Sequence, residues 1–412
     1  MGFSSIDDLV DELTNQGKFW RQDFMKNTSG IGTVVAGRWY DLTMFPITGT
    51  APWYIHGNYV FNADFLGGIA GWTLNGANWT WDAANHRASR AASADGLTLT
   101  QNTQCTNGVT YSVVFTLTRT AGSITPSLGG TNGTARSASG TYRENIVCGA
   151  TANAPITFTP DATFAGTVDI VAITRDLAFT PYDDGLIASD AAIWHGGDVS
   201  ANTKHLLNFG AMVNVAAGAP AVLLLVDLLG CYPRIRTDLA TSQTLNNTLT
   251  LPRYTDGKGV RPFFVLNTAN GLNAANFVMS YTNTVPTAGR GLGAVVSHTA
   301  SAIVGHMSHS GVSAGNFGPF LPLMGGDQGL VSVQSCQFTV ASASAGFVDL
   351  VLAKPLAYLP LTAAFYASER DLLNQLPSLP RIYDGAVLGV LCFCGAVMTA
   401  CSYQGYIDVA WG

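Results

Sequence analysis

Residues 111–117 have the sequence Tyr-Ser-Val-Val-Phe-Thr-Leu, in which a large apolar side chain occupies every second position. In an extended chain the odd-numbered positions point to one side and the even-numbered positions to the other. This period of two predicts a strand with one face in a core. Similar runs surround it, separated by Gly, Asn and Ser turns, at Ile124–Leu128, Tyr142–Cys148, Ile156–Thr159 and Val168–Ile173. Their spacing is typical of a sandwich or jelly roll, so Gly57–Ala178 is predicted to be a complete β-sandwich set inside another domain.

The motifs of this insert resemble those of carbohydrate-binding-module-like jelly rolls that are often inserted in tailed-phage virion proteins. The motifs are Phe61-Asn62, Asp64-Phe65, Gly71-Trp72-Thr73, Trp79-Thr80-Trp81, Ser139-Gly140-Thr141-Tyr142 and Phe158-Thr159-Pro160. The flanking chain also resembles a phage structural protein, in Gly37-Arg38-Trp39-Tyr40-Asp41-Leu42, Leu251–Gly257 and Glu369–Arg381.

Together, pattern and resemblance predict a mainly β protein. An outer β-sandwich or jelly-roll-like domain with short helices would be interrupted by the inserted jelly roll. Residues 1–56 would form an N-terminal arm and the first part of the outer domain, residues 57–178 the insert, and residues 179–412 the main β-rich assembly domain.

Composition favours a subunit of an assembly. Charged residues make up 11% of the chain, against about 25% in an ordinary soluble domain. Interface cores are poor in charge, so this surface suits contact with other subunits. The net charge of −6 provides no basic footprint for nucleic acid. No signal peptide precedes the first acidic residues, which predicts synthesis in a host bacterial cytoplasm without export.

The N-terminus predicts a helix followed by an apolar arm. Ser4 or Ser5 can cap a helix that carries Ile6, Leu9, Val10 and Leu13 on one stripe. The large apolar residues that follow are candidate assembly contacts, namely Phe19, Trp20 and Phe24. Such an arm should dock either on a neighbouring subunit or on its own body.

The rest of the outer domain reads as strands with a few helices. Asn202–Val215 and Ala363–Leu376 are predicted to be helices, and Ala221–Leu229 is either a strand or a helix. Predicted strands are Thr248–Leu251, Phe263–Asn267, Phe277–Thr282, Val331–Val340 and Phe347–Ala353. Two similar segments, after Phe158-Thr159 and after Phe338-Thr339, are each predicted to form a hairpin with a Gly in the turn.

Gly385–Ile407 contains no charged residue, and this uncharged segment is long enough for a membrane helix. Its glycines and polar residues, and the lack of a basic flank, favour two paired buried strands instead, Val387–Phe393 and Tyr406–Trp411. No membrane partner is expected.

No catalytic or metal-binding constellation is predicted. Gly311–Gly315 matches the pattern GxSxG, but no buried strand precedes it and no helix can follow it. His306 and His309 would face together only on a helix, which the neighbouring Gly and Ser do not favour. The seven cysteines, including Cys392-Phe393-Cys394, lack metal-ligand spacing and are predicted to be small buried apolar residues. The chain is therefore not expected to be an enzyme or to hold a cofactor or metal.

Three tryptophans of the insert allow two interpretations. Trp72, Trp79 and Trp81 could stack on the sugar rings of a glycan, as the resemblance implies, or they could pack in the core. Trp79 and Trp81 share one face of their strand and should be buried or exposed together.

The preferred hypothesis is a structural component of a tailed-phage virion, of the capsid decoration or cement type, with the jelly roll projecting outward. Its partners would be other copies of itself, as a trimer or higher oligomer, and the phage shell protein. One alternative is the major capsid shell protein itself. A second is a tail or fibre component that binds a host surface glycan through the insert.

Overall fold

The computed structural model describes residues 5–28, 33–44, 60–63, 65, 67–103, 105–174, 177–178, 192–245, 249–268, 275–299, 303–310, 318–342, 346–375, 378–398 and 400–412. The chain divides into two compact units. The larger unit comprises Met1–Ile55 and Leu177–Gly412, and the inserted unit is His56–Asp176.

The predicted mainly β fold is confirmed. Before the insert come helix α1 (Ile6–Thr14) and strands β1 (Phe19–Asn27) and β2 (Arg38–Asp41). The insert contains β3 (Thr73–Leu74), β4 (Trp79–Asp82), β5 (Arg87–Arg90), β6 (Leu99–Gln101), β7 (Thr110–Ala121), β8 (Ile124–Leu128), β9 (Thr131–Asn132), β10 (Gly140–Val147), β11 (Ile156–Pro160) and β12 (Ala165–Thr174). After it come β13 (Leu177–Ala178), β14 (Lys204–Val213), β15 (Ala221–Arg236), β16 (Gln243–Thr244), β17 (Arg261–Thr268), β18 (Ala275–Asn283), β19 (Val296–His298), β20 (Leu330–Phe338), β21 (Phe347–Leu361), β22 (Ser368–Asp371), α2 (Leu372–Gln375), β23 (Arg381–Ile382), β24 (Leu388–Cys394) and β25 (Ser402–Trp411).

The inserted unit is a sandwich of two five-stranded antiparallel sheets. One sheet has the order β10-β7-β12-β5-β4 and the other β3-β6-β11-β8-β9. The odd-numbered residues of β7 from Tyr111 to Leu117 lie in the core, as the period of two predicts. The entering and leaving segments meet, because the Val171 N–H donates to the Ala63 carbonyl at 2.8 Å.

In the described residues, the larger unit contains three antiparallel sheets. The central sheet has the order β17-β21-β15-β24-β2, with β13 beside β15. One flanking sheet is β1-β25-β14-β22, with β23 on β14, and the other is β16-β20-β18-β19. Along β17, Phe263 and Val265 belong to the core shared with the first flanking sheet, whereas Phe264 and Leu266 belong to the core shared with the second. The central sheet is therefore buried on both faces.

Burial on both faces explains the ambiguous run Ala221–Leu229. It is the first part of β15, which pairs with β21 on one side and β24 on the other. A strand covered on both faces needs apolar residues at consecutive positions, so it shows no alternation in the sequence.

A single segment joins the two outermost strands of the central sheet. The Asp41 N–H on β2 donates to the Gly305 carbonyl at 3.0 Å, and the Leu266 N–H on β17 donates to the His306 carbonyl at 2.9 Å. Tyr40 also forms a bridge with His306. Residues 303–307 thus cover the edges that β2 and β17 would otherwise present to solvent.

Two predicted helices are wrong. Asn202–Val215 contains the strand β14, which pairs with β25 and with β22. Ala363–Leu376 contains a turn, the strand β22 and only the single turn of helix α2. Residues 249–251 of the predicted strand Thr248–Leu251 form no strand.

Both predicted hairpins and the predicted pairing of two C-terminal strands are also wrong. β11 and β12 lie in different sheets of the insert, and β20 and β21 lie in different sheets of the larger unit. In the insert, the connection from β11 to β12 crosses from one sheet to the other, and Gly166 lies in β12 rather than in the turn. β24 and β25 likewise belong to different sheets. Across the described ranges no helix is long and apolar enough to cross a membrane.

Candidate assembly and binding surfaces

The N-terminal arm docks on its own body as a helix and an edge strand. α1 is capped by Ser5, whose hydroxyl accepts the Asp8 N–H at 3.0 Å, as predicted. Its buried residue Leu9 packs on Leu207 and Ala410. The segment after α1 is the strand β1, which pairs with β25 from end to end.

A polar network fixes β1 to the neighbouring strands. Arg21 donates two hydrogen bonds of 2.6 Å to the two carboxylate oxygens of Asp408. Asn208 on β14 donates to the same carboxylate at 3.0 Å. The guanidinium of Arg21 also lies 4.2 Å from the centre of the Tyr406 ring. Asp408 is almost fully buried, so this bidentate pair supplies the partners that its charge requires.

The three candidate assembly residues differ in exposure. Phe24 is half-buried, and its ring stacks on Phe209 with 6.1 Å between centroids. Phe19 and Trp20 remain 40% and 41% exposed. Within the described chain, no strand pairs with the outer edge of β1. The arm therefore presents two large aromatic side chains on an open strand edge.

A pocket of about 620 Å³ lies beside β1. Its lining is mostly apolar, and the residues are Gln22, Asp23, Phe24, Met25, Lys26, Ala192, Ile193, Trp194, Ala211, Met212, Ala367, Gln404, Gly405 and Tyr406. Asp23 and Lys26 carry opposite charges, so this lining has no net charge.

Two of the three candidate glycan-binding tryptophans are in the core of the insert. Trp72 is 6% exposed, stacks on Phe65, and donates its indole N–H to the Asn62 carbonyl at 3.1 Å. Trp79 is 3% exposed and donates to the Leu97 carbonyl at 2.8 Å. Neither ring has a free face on which a sugar could stack.

Trp81 behaves differently from Trp79, which corrects the prediction that both share one environment. Trp81 is 41% exposed, and its ring lies 3.8 Å from the position that a β-carbon on Gly68 would occupy. β4 is an edge strand, and Trp81 lies near its end. Two residues along the same face are enough to pass from the core to the rim of the sandwich.

The segments considered for catalysis do not form an accessible site where they are described. Gly311–Gly315 lies outside the described residues. His306 and His309 are not on a helix, and burial lowers the pKa of each to about 3. Ser308 Oγ lies 2.8 Å from His298 Nδ1, but both side chains are buried.

The seven cysteines are buried thiols that form no disulfide. Cys392 Sγ and Cys394 Sγ are 3.8 Å apart in the core of the larger unit. In the part of the chain that the structure describes, no group of three or more His, Cys, Asp or Glu could hold a metal ion.

The sequence reading missed one exposed aromatic pair, Phe365 and Tyr366, which are 67% and 72% exposed. They were included in the helix predicted over Ala363–Leu376. Two adjacent apolar residues are compatible with the buried stripe of a helix, so the sequence carries no signal for the turn that displays them.

No protein-family model and no curated protein matches the chain. Among solved structures, it is similar to a chain in the triple jelly roll fold and turret assembly of an archaeal virus, at 9% identity over 78% of this chain and 85% of that chain, with a TM-score of 0.16. It is similar to a chain of Sulfolobus turreted icosahedral virus at 7% identity, over 78% and 86%, with a TM-score of 0.16. It is also similar to a chain of infectious bursal disease virus strain Gx at 13% identity, over 98% and 86%, with a TM-score of 0.14. At these TM-scores the likeness carries no conclusion about this chain, whose function is argued from its own residues.

Proposed function

We propose that this chain is a non-enzymatic structural component of a tailed-phage virion, and that it is a decoration or cement protein that stabilises the head. The observation that carries this proposal is the open edge of β1, where Phe19 and Trp20 stay 40% and 41% exposed on a strand held rigidly by the rest of its sheet.

Exposed aromatics on a paired strand are unfavourable for an isolated protein. An open edge can pair with another chain, and large aromatic side chains dominate the energy of protein interfaces. In a chain with only 11% charged residues, the surface also lacks the charges that oppose association. These features support a subunit that is covered by neighbours in the mature particle.

In this proposal the larger unit contacts the phage shell protein and other copies of the chain, as a trimer or higher oligomer. The inserted unit projects from the head as a separate module. The major capsid shell protein is an alternative of the same class, and it would occupy the shell lattice rather than be added to it.

A second candidate function is recognition of a host surface glycan by the insert, as in a tail or fibre component. Trp81 favours it, because an exposed indole can stack on a sugar ring. Polar groups that could hydrogen-bond to sugar hydroxyl groups lie beside Trp81. Asp82 there accepts hydrogen bonds from Asn85 at 2.9 Å and from Arg87 at 2.8 Å.

The double variant Phe19→Ala/Trp20→Ala tests the assembly role. Both side chains are partly exposed, so we expect the free energy of unfolding to change by less than about 1 kcal/mol. Occupancy on particles should fall by about tenfold, since covering the exposed two fifths of both rings contributes roughly 1–2 kcal/mol in total. Occupancy is measured by binding the variant to particles that lack this chain.

Val285→Ala is the matched control, because Val285 is apolar and 72% exposed elsewhere on the larger unit. It should leave occupancy unchanged. Full occupancy by the double variant would contradict the proposed role of this edge. Deleting residues 1–27 is a poorer test, because it also removes the strand that covers β25.

A further inference from the structure

Phe365 and Tyr366 form a rigid aromatic projection on the larger unit. They lie in the turn between β21 and β22, and they are 67% and 72% exposed. The turn is anchored at its start, since the Phe365 N–H donates to the Val213 carbonyl at 2.9 Å and Ala364 packs against the core. We call Phe365 and Tyr366 the knob.

The backbone of the knob is strained. Phe365 has a φ of 63°, in the left-handed region that bulky residues rarely adopt. Such a conformation costs on the order of 1–3 kcal/mol and persists only where surrounding contacts hold it. The strained backbone lowers the stability of the fold while two aromatic rings remain exposed to solvent, which points to a binding role.

The knob adjoins the pocket of about 620 Å³ beside β1. Ala367, which follows Tyr366, lines the pocket, and so does Met212, which precedes the Val213 that anchors the knob. The pocket walls include Phe24, Met25 and Trp194. A projection and an apolar pocket of matching chemistry thus share one rim on the same surface.

We propose that the knob of one copy inserts into the pocket of a second copy of this chain, and that the second copy returns its own knob to the first. When a projection and a pocket adjoin, a twofold axis at their shared rim places each projection in the partner's pocket. This inference rests on the proposed assembly function and names the surface that joins two copies.

Area and charge are both compatible with this contact. An aromatic side chain presents roughly 150–250 Å² when fully exposed. Phe365 and Tyr366 are 67% and 72% exposed, so the four rings of two copies bury about 400–700 Å² before the pocket walls and rim are added. A specific interface needs at least about 1,000 Å² in total, which the walls and rim then supply. Residues 362–367 carry no charge, and Asp23 and Lys26 balance each other in the pocket lining. Insertion therefore brings no like charges together.

The contact joins two copies and leaves Phe19 and Trp20 available for the shell or for further copies. The trimer predicted from the sequence would need a second contact of this kind elsewhere on the chain.

Sedimentation velocity on the full chain tests the proposal. The wild-type chain should associate reversibly into dimers as its concentration rises. Phe365→Ala/Tyr366→Ala should weaken dimerisation by at least about 100-fold, as expected for central aromatic residues of an interface, while its melting temperature stays unchanged or rises. Phe61→Ala is the matched control, because Phe61 is also 67% exposed but lies in the inserted unit.

A blocked pocket provides an independent arm. Ala367 is exposed, so Ala367→Trp should fold normally and place a large ring at the pocket mouth. This variant alone should be monomeric. Mixed with the knob variant, it should form heterodimers detectable by native mass spectrometry, since one intact knob meets one intact pocket.

A knob variant that dimerises like the wild type would overturn the proposal, as would a wild-type chain that stays monomeric at all concentrations. Neither result alone removes the proposed function, which fails if the chain is missing from purified particles. A knob variant that is monomeric in solution but still joins particles supports the inference and leaves the proposed function standing.

Discussion

Replacing Trp79 by Ala should destabilise the inserted unit by about 3–5 kcal/mol, the usual cost of truncating a buried aromatic residue. Trp79 is 3% exposed, faces Phe164 at 6.4 Å between ring centroids, and lies 5.6 Å beneath the guanidinium of Arg90. Its loss leaves a cavity and removes one of two donors to the Leu97 carbonyl, which keeps Arg90 Nη1 at 3.2 Å. In a unit of this size, the melting temperature should fall by roughly 10–20 °C.

Trp81→Ala is the matched control and also tests the second candidate function. Because Trp81 is 41% exposed, we expect its loss to leave the melting temperature nearly unchanged. If the insert binds glycan, the same variant loses adsorption to host cells although it stays folded. Equal losses of stability for Trp79→Ala and Trp81→Ala would contradict the difference in burial between the two tryptophans.

Acidification from pH 7 to pH 5 should destabilise the larger unit strongly. Burial lowers the pKa of His195 and His298 to about 4, and that of His306 and His309 to about 3. In the unfolded chain these groups take up protons near pH 6.5. Between about pH 6.5 and pH 4 the unfolded state therefore binds more protons than the folded state, so stability falls as the pH falls.

Two buried carboxyls act in the opposite direction. Burial raises the pKa of Asp41 to about 6 and also raises that of Asp227, so protonation of the folded state returns stability as the pH falls. Burial also lowers the pKa of His205. Each group contributes at most about 1.4 kcal/mol per pH unit, so five histidines less two aspartates leave a net loss of about 4 kcal/mol per unit. Two units of pH can thus remove most of the stability of an ordinary domain.

Differential scanning calorimetry at several pH values checks this expectation. The melting temperature of the larger unit should fall steeply as the pH falls. The melting temperature of the insert should change much less, because its described histidine, His86, is exposed. Hydrogen exchange should report early opening at residues 303–310, because His306 and His309 lie in the segment that joins β2 and β17. A flat melting temperature between pH 7 and pH 5 would contradict the neutral, buried state of these histidines.

Strands whose core residues alternate could be predicted from the sequence, whereas the first part of β15, which is buried on both faces, could not be told from a helix. The odd-numbered residues of β7 from Tyr111 to Leu117 fill the sandwich core, and these core positions follow directly from the alternation. β14 fails for a specific reason: a bulge between Leu206 and Asn208 inserts one residue, so the core positions Leu206 and Phe209 are three apart. That spacing imitates a helix.

Sheet membership could not be predicted from local pattern either. The segments leading from β11 to β12 and from β20 to β21 look like hairpins because a short Gly-containing turn separates two apolar runs. Whether the second run pairs with the first or crosses to the opposite sheet depends on long-range packing, which a local window does not contain.

The candidate surfaces were predictable in part. Phe19 and Trp20 could be predicted as assembly contacts because they are large apolar residues that follow the N-terminal helix, and the structure leaves both exposed. The different burial of Trp79 and Trp81 could not be predicted, because periodicity assigns a residue to a face of the strand but does not give its distance from the rim of the sandwich. Phe365 was missed because its left-handed backbone has no signature in a non-glycine residue.

The copy number of this chain in purified phage particles decides whether it is a structural component of the virion. Quantitative mass spectrometry against labelled peptides gives its ratio to the shell protein in particles banded on a density gradient. We expect many copies in a fixed ratio to the shell protein. Removing these copies from the heads should leave the shell closed. Absence of the chain from purified particles would contradict the proposed function.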